Sequence, residues 1–551
     1  MADARSSDID NNFLAGGSSF FITVSRIAIP VIVFTVLNRL LLAPCVLSNE
    51  AYSQPWLLPQ IGLYYCSSPS YLAGIGIIFV GCLINRHTLW LSWSQQGIPA
   101  QFRWFVCLVA LLHAWLFSSY EYNFFVAESH FADRLLVLLL GAAVVWKPFF
   151  VIPLLLFSWP IHGQFQGPLG GYAWTVVYLP ARLLLLFLCT ILAQPFLRRV
   201  AREPKEDFAL TEFPLLACTL IAGHYFTPGL AKAWMGWFHN NDTHLLLVNT
   251  HAGGWLHFLE TTFVDQLARN MKAMGFVLNG FTFIAEIGAL LACWSGRSMR
   301  VLVAIWLLMH VAICACSSIL FWPWIIIDVL LVACFFGDFD PLALALSRVE
   351  NEQRKQHRLI LRFASVGLIA TAFAWTGAVT LAWFDSPVTY NHRFTALMSD
   401  GGELPLATSV FAPFDYPITL NNFGQVVDEP TLGVTWGAVN SRKNLAAYRA
   451  VSTTEDVLAT ESEIGVNRFD ADSRKQIERF LKRFLEHGRY SENQPSWWFT
   501  TPSIIQNWRS RSLPDNKALV GIRVERQLSA FLDGQTKIVK VVPVIEVRLP
   551  D

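Results

Sequence analysis

The sequence predicts a polytopic α-helical membrane protein of about eleven membrane segments over 1–384, followed by an extracytoplasmic α+β domain over 385–551. Three observations carry this. The 551 residues are 54% hydrophobic and only 15% charged, where soluble domains carry about 25%. Apolar runs that cross or nearly cross a bilayer recur through the first 384 residues. After Phe384 the composition turns polar and cysteine disappears. The net charge of +1 supplies no field for nucleic acid.

The apolar runs fall at roughly 19–42, 70–91, 103–119, 132–146, 148–160, 173–196, 211–232, 270–293, 301–317, 319–336 and 359–384. The first is too long for a cleavable signal and lacks a small-residue cleavage site, so it reads as a span. The run at 148–160 is short and holds Pro153 and Pro160, which also fits a re-entrant segment. Loops 43–69, 120–131, 161–172 and 233–268 contain no Lys or Arg. The alternate loops carry Arg86 and Arg103, Lys147, Arg198 to Lys205, Arg297 and Arg300, then Arg348 to Arg358. The positive-inside rule therefore places the amino terminus in the cytoplasm and 385–551 outside, with Arg269 and Lys272 as small exceptions at an outer helix end.

In the carboxyl-terminal region, Asp472–Gly488 reads as an amphipathic helix with Ile477, Phe480, Leu481, Phe484 and Leu485 on one face. Two β-rich stretches, 518–531 and 535–549, flank the hairpin turn signal Asp533-Gly534. Eight of the ten cysteines lie in apolar runs, where thiols are inert packing. Cys45 and Cys66 share the first loop, and can form a disulfide if that loop is extracytoplasmic.

The polar groups within the apolar runs form two sets. The stretch His224–Lys232, HYFTPGLAK, closes a long apolar run. Pro228 removes a donor and frees the carbonyl of His224, and Gly229 admits a neighbouring helix. Helical spacing puts His224, Pro228 and Lys232 on one face with Tyr225 beside them, at a locally opened helix end. Ionisable groups in such a run default to function, against the plainer reading of a snorkelling lysine anchor. His130, at the start of the fourth segment, joins this outer set. The inner set is Arg26, Glu286, His310 and Asp328. A lone charge there is costly, so Arg26 is expected to pair with Glu286 as a lock between helices, with a proton path as the alternative. His239, His244, His251, His257 and Glu260 follow Lys232 at irregular spacing and read as surface-loop residues; no metal is expected. Walker, dinucleotide, GxSxG and His-Glu-x-x-His motifs are absent.

HYFTPGLAK with Trp234 following resembles the Tyr-Phe-x-x-Gly-x-x-Lys signature of the HTTM family, which includes the vitamin K-dependent gamma-carboxylases. SRIAI with Arg26, ESHFADRLLVLLL with His130, FIAEIGALL with Glu286, and LLMH with His310 followed by FWPWIIIDVLLVACFF are similar to other family helices, so the resemblance covers roughly 20–340. It implies that Lys232 is the base that deprotonates a reduced isoprenoid quinone of the vitamin K type, and that His130 supports developing charge. His224, Tyr225, Gly229 and Trp234 would surround the cofactor. The outcome would be carboxylase-like lyase chemistry on an extracytoplasmic substrate, in a cavity closed by 385–551. The chain departs from the carboxylases after His310: VAICACSS stands where they carry Asn-Ser-Gln. The alternatives are a non-catalytic maturation or immunity factor, or a structural subunit, binding a secreted polypeptide. Membrane lipid is a partner under every reading.

Overall fold

In the computed structural model the described residues are 3–41, 58–118, 131–163, 178–201, 210–376, 386–487 and 519–549, less 96, 241, 257, 336–338, 348, 350, 352, 412–417, 419–425, 435–436 and 440. The first part is a helical bundle. In chain order its principal helices are α1 (Asp3–Leu41), α2 (Leu58–Ser67), α3 (Pro69–Ile84), α4 (Ala100–Ser118), α5 (Phe131–Trp146), α6 (Val151–Gly163), α7 (Tyr178–Ala201) and α8 (Phe213–Trp234). They continue with α9 (Thr243–Ala252), α10 (Thr261–Ala273), α11 (Gly275–Glu286), α12 (Gly296–Ser317), α13 (Trp322–Cys334) and α14 (Arg354–Ala370).

The described parts of the predicted apolar runs are mostly helical, yet only five described helices are long and apolar enough to cross a membrane. A sixth arises if α2 and α3, bent by 98° at Ser68, are counted together. Helices α5, α6 and α13 have 16, 13 and 13 residues, short of the roughly 20 that a bilayer core requires. Helix α8 is long enough at 22 residues, but its ionisable groups dilute its hydropathy.

Helices α7 and α8 form the centre. Every residue from Phe213 to Phe226 is buried, the signature of a helix that is apolar all round and surrounded on all sides. The periphery is apolar too: Phe276 is 87% exposed, and Phe79, Trp104 and Phe283 also face outward. The stretch after Lys232, read from sequence as a loop, instead forms the short helix Trp237–Asn240 and then α9 and α10. These make a platform between the bundle and the carboxyl-terminal region.

That region is one antiparallel sheet of order β2-β1-β3-β4: β1 (Val388–Met398), β2 (Glu403–Leu406), β3 (Leu519–Leu532) and β4 (Gln535–Arg548). Asp533 (φ 52°) and Gly534 (φ 76°) both lie in the left-handed region, as the two-residue β3–β4 turn requires. Helices α15 (Arg442–Ala450), α16 (Thr454–Ile464) and α17 (Ala471–His487) accompany the sheet. The predicted face of α17 packs on Phe394, Ile522 and Val524. Strand β1 was not foreseen, although Val388, Tyr390, Phe394, Ala396 and Met398 alternate with Thr389, Asn391, Arg393 and Thr395; both its faces are buried along nearly its whole length.

The sheet docks on the platform through named bonds. Thr536 donates from its backbone N–H (3.1 Å) and hydroxyl (2.7 Å) to Asp265, and Arg269 donates to the Gly534 carbonyl at 2.7 Å. Arg269, an exception to the charge rule, thus serves the hairpin turn. Phe531 enters the platform's apolar cluster with Leu245, Val248 and Val264. Arg449 ion-pairs with Asp242 and donates to the Met235 carbonyl, just beyond α8.

Candidate functional site

Helix α8 runs unbroken through Pro228 to Trp234, so the expected locally opened end is not seen. Its rotation also differs from the expected face. Seven residues return a helix to within about 20° of the same direction, whereas eight overshoot by about 80°. Lys232 therefore shares its face with Tyr225 and Gly229, and His224 turns elsewhere.

At Gly229 the absent side chain decides the packing. A Cβ there would lie 2.7 Å from the Cβ of Glu286, so glycine lets α11 approach closely. This brings Glu286 onto Lys232 in a direct ion pair in which both residues are nearly fully buried, at 2% and 4% exposure. The expected Arg26–Glu286 pair is not formed: Arg26 lies 3.7 Å from Glu212, at the start of α8. Lys232 is not a snorkelling anchor either, since its ammonium lies inside, 5.2 Å from the Trp237 ring centre.

One turn below Gly229, the Tyr225 hydroxyl donates to both carboxylate oxygens of Asp328, at 2.8 and 3.0 Å. His310 Nδ1 lies 3.1 Å from Asp328 Oδ2. Tyr225 stacks on Trp306 with ring centres 4.1 Å apart and planes 6° apart, and meets Trp324 edge-on. The Trp306 indole donates to the Ala285 carbonyl at 2.6 Å, so the same ring supports the strand of backbone carrying Glu286. The two sequence-derived sets thus merge: Lys232 and Tyr225 from one meet Glu286, Asp328 and His310 from the other.

Only Oε1 of Glu286 bonds to Lys232; among the described residues its buried Oε2 has no hydrogen-bond partner. A buried carboxylate oxygen without a donor is costly, and it is an open acceptor in a dry site. Both groups are taken out of water, so each relies on the other to compensate its charge.

His224 Nδ1 lies 2.8 Å from the Leu220 carbonyl, which can only accept, so Nδ1 carries the proton. Nε2 is then the acceptor for Arg182, 2.9 Å away on α7. Arg182 was missed in the sequence, although an ionisable group inside the run YLPARLLLLFLC was signal enough. Trp234 is 70% exposed, with the Arg442 guanidinium 6.0 Å from its ring, so it does not wall the site; Trp237 takes that place. His130 and Cys45 lie outside the described residues, and Cys66 is an exposed thiol near the end of α2. His244 and His251 are buried in the platform rather than at a loop surface, with His251 Nε2 3.1 Å from the Leu259 carbonyl. Among the described residues no three metal-ligating side chains converge.

Outside the bundle, burial pushes the carboxyl of Asp242 up to about 6, against the opposing pull of Arg449. No protein-family model, curated protein or solved structure matches the chain.

Proposed function

We propose that the chain is a multi-pass membrane protein, with a cytoplasmic amino terminus and 385–551 outside, whose Lys232–Glu286 pair is an acid–base centre of the HTTM kind. The Lys/Arg asymmetry of the loops and the exposed apolar periphery support the membrane reading and its orientation. The single observation that carries the functional reading is the buried Glu286, paired through one oxygen and unpartnered at the other.

A reduced quinone fits this donor set. Its hydroxyl would meet the open Oε2, and the indole of Trp237, beside the Lys232 ammonium, is an apolar surface of the kind its ring needs. When bound, the quinol supplies an ionisable hydroxyl and reducing equivalents. Glu286 Oε2 accepts a proton, and Lys232 holds the resulting charge balance through its contact with Oε1. Tyr225, fixed by Asp328 and Trp306, sets the floor of the site and links it to the Asp328–His310 pair. His130, matched by the family resemblance, is the proposed partner from the fourth segment. The substrate is an extracytoplasmic polypeptide, and the chemistry would be carboxylase-like: dioxygen takes the two electrons of the quinol, a substrate carbon gives up its proton, and CO2 adds to that carbon.

A second reading, a helix lock inside a non-catalytic maturation factor or partner-binding subunit, is favoured by the close fit of Gly229 to Glu286 and by VAICACSS after His310. Purified protein and the double variant Lys232→Gln/Glu286→Gln separate the two. Removing both charges together strands neither of them, so the variant is expected to fold, and its melting temperature checks this. Loss of quinol oxidation with retained melting supports the acid–base centre; unchanged oxidation, or none in the parent, supports the lock. Membrane orientation is tested separately by Ser491→Cys, which should react with an impermeant reagent added outside.

A further inference from the structure

We infer that the protein binds one anionic phospholipid in a trough between α1 and α14, an inference that rests on the membrane reading above. The trough has a volume of about 230 Å³ and is walled by Val24, Ile27 and Ala28 of α1 and by Leu361, Ala364 and Gly367 of α14. Its walls are entirely aliphatic. Helix α1 is pinned to α14 at one end and to the segment just after α14 at the other. Thr23 Oγ1 and His357 Nδ1 hydrogen-bond at 2.8 Å at one end. At the other, Asn38 donates to the Thr376 carbonyl at 3.2 Å and Arg39 to the Ala374 carbonyl at 3.1 Å. Between the pins the small side chains of Ala28, Ala364 and Gly367 do not fill the space, and a Cβ at Gly367 would meet nothing within 4 Å.

Shape and charge select the occupant. Pockets for compact ligands run about 300–1,000 Å³, so this smaller, side-opening trough suits a single hydrocarbon chain better than a ring system. The α14 end of the trough is basic: residues 348–362 hold five Lys or Arg against two Glu, and although Arg358 is paired with Asp340 at 2.6 Å, Arg354 and Lys355 face outward. Arg354 precedes Leu361 by seven residues, two turns along the same helix face. Its guanidinium bonds the Val349 and Ser347 carbonyls, which leave its charge uncompensated, and Lys355 beside it is exposed. In the proposed orientation this end faces the cytoplasmic leaflet, where anionic headgroups concentrate. A neutral lipid would fill the trough without answering these cations. A helix of a second copy would cover it without bringing an anion.

The test uses full-length protein extracted in mild detergent and exposed to mixed vesicles of phosphatidylglycerol and phosphatidylcholine, with retained lipid read by native mass spectrometry. The expected result is one phosphatidylglycerol per chain, preferred about tenfold or more. Gly367→Leu, whose side chain enters open space, should cut retention of either lipid about tenfold without lowering the melting temperature. Lys355→Gln and Arg354→Gln should each reduce the headgroup preference about fivefold, the equivalent of about 1 kcal/mol per basic residue near an anionic surface. Equal retention of the two lipids, no effect of Gly367→Leu, or a dimer that buries the trough overturns the inference while leaving the membrane reading intact. Recovery of the protein without detergent from the soluble fraction overturns both.

Discussion

Two ion pairs joined to the same helix behave differently because of what surrounds them. Lys232–Glu286, on the last turns of α8, is closed in by indoles and by Gly229, and leaves one carboxylate oxygen unpartnered. Asp242–Arg449, just beyond α8, joins the platform to α15; Arg449 also bonds the Met235 carbonyl and remains partly exposed. Among the described residues each pair leaves one buried atom unpartnered, Arg449 Nε in the outer and Glu286 Oε2 in the inner; the outer pair is half-buried among docking contacts and lacks a donor's partner, whereas the inner pair is nearly fully buried and leaves a carboxylate acceptor open. A buried charge with an open acceptor costs stability, and chemistry is a reason to keep it.

The comparison is broken most severely at the inner pair. Lys232→Met should cost about 3–5 kcal/mol, because it strands a carboxylate in the core. Thermal melting in detergent measures this, and the double replacement with Glu286→Gln should cost clearly less than the two singles added. Additive costs would mean that the pair is not coupled. At the outer pair, Arg449→Met should cost about 1.5–3 kcal/mol, the range of a hydrogen bond to a charged group. A larger loss there than at Lys232 would reverse the contrast.

Gly229→Ala sharpens the inner side. Its Cβ cannot fit against Glu286 without moving α11, so about 1–3 kcal/mol of stability should be lost, again read by melting. A neutral result would show that the helices do not approach as closely as described. The smallest effect is expected at Asp242. Burial raises its carboxyl from the usual 3.8 to about 6, so the folded protein holds that proton more tightly than the unfolded chain. Its contribution to stability therefore falls as pH rises between about 4 and about 6, then levels off. Asp242→Asn should flatten that part of a melting-versus-pH curve. A slope unchanged by the substitution would place the titration elsewhere.

What the sequence revealed follows from which forces are local. Apolar runs located the helices, and Asp533-Gly534 located the hairpin, because span length and turn geometry are written in neighbouring residues. The residues of the centre were also legible as ionisable groups in apolar runs, with Arg182 the one passed over. Their pairing was not. Whether Glu286 meets Arg26 or Lys232 depends on the rotation and approach of separate helices, and here one glycine decides it. The platform was read as a loop because its helices α9 and α10 are short and rich in polar residues. Strand β1 was legible as an alternation, with Val388, Tyr390, Phe394, Ala396 and Met398 against Thr389, Asn391, Arg393 and Thr395, and was passed over.

The central claim is that Glu286 and Lys232 form an acid–base centre for a quinone rather than a lock. Mass spectrometry of extracts from purified protein tests it most directly, comparing the parent with a folded Lys232→Gln/Glu286→Gln variant prepared from the same membranes. The account predicts an isoprenoid quinone in stoichiometric amount with the parent and about tenfold less with the variant. Equal amounts in both, or none in either, would contradict it.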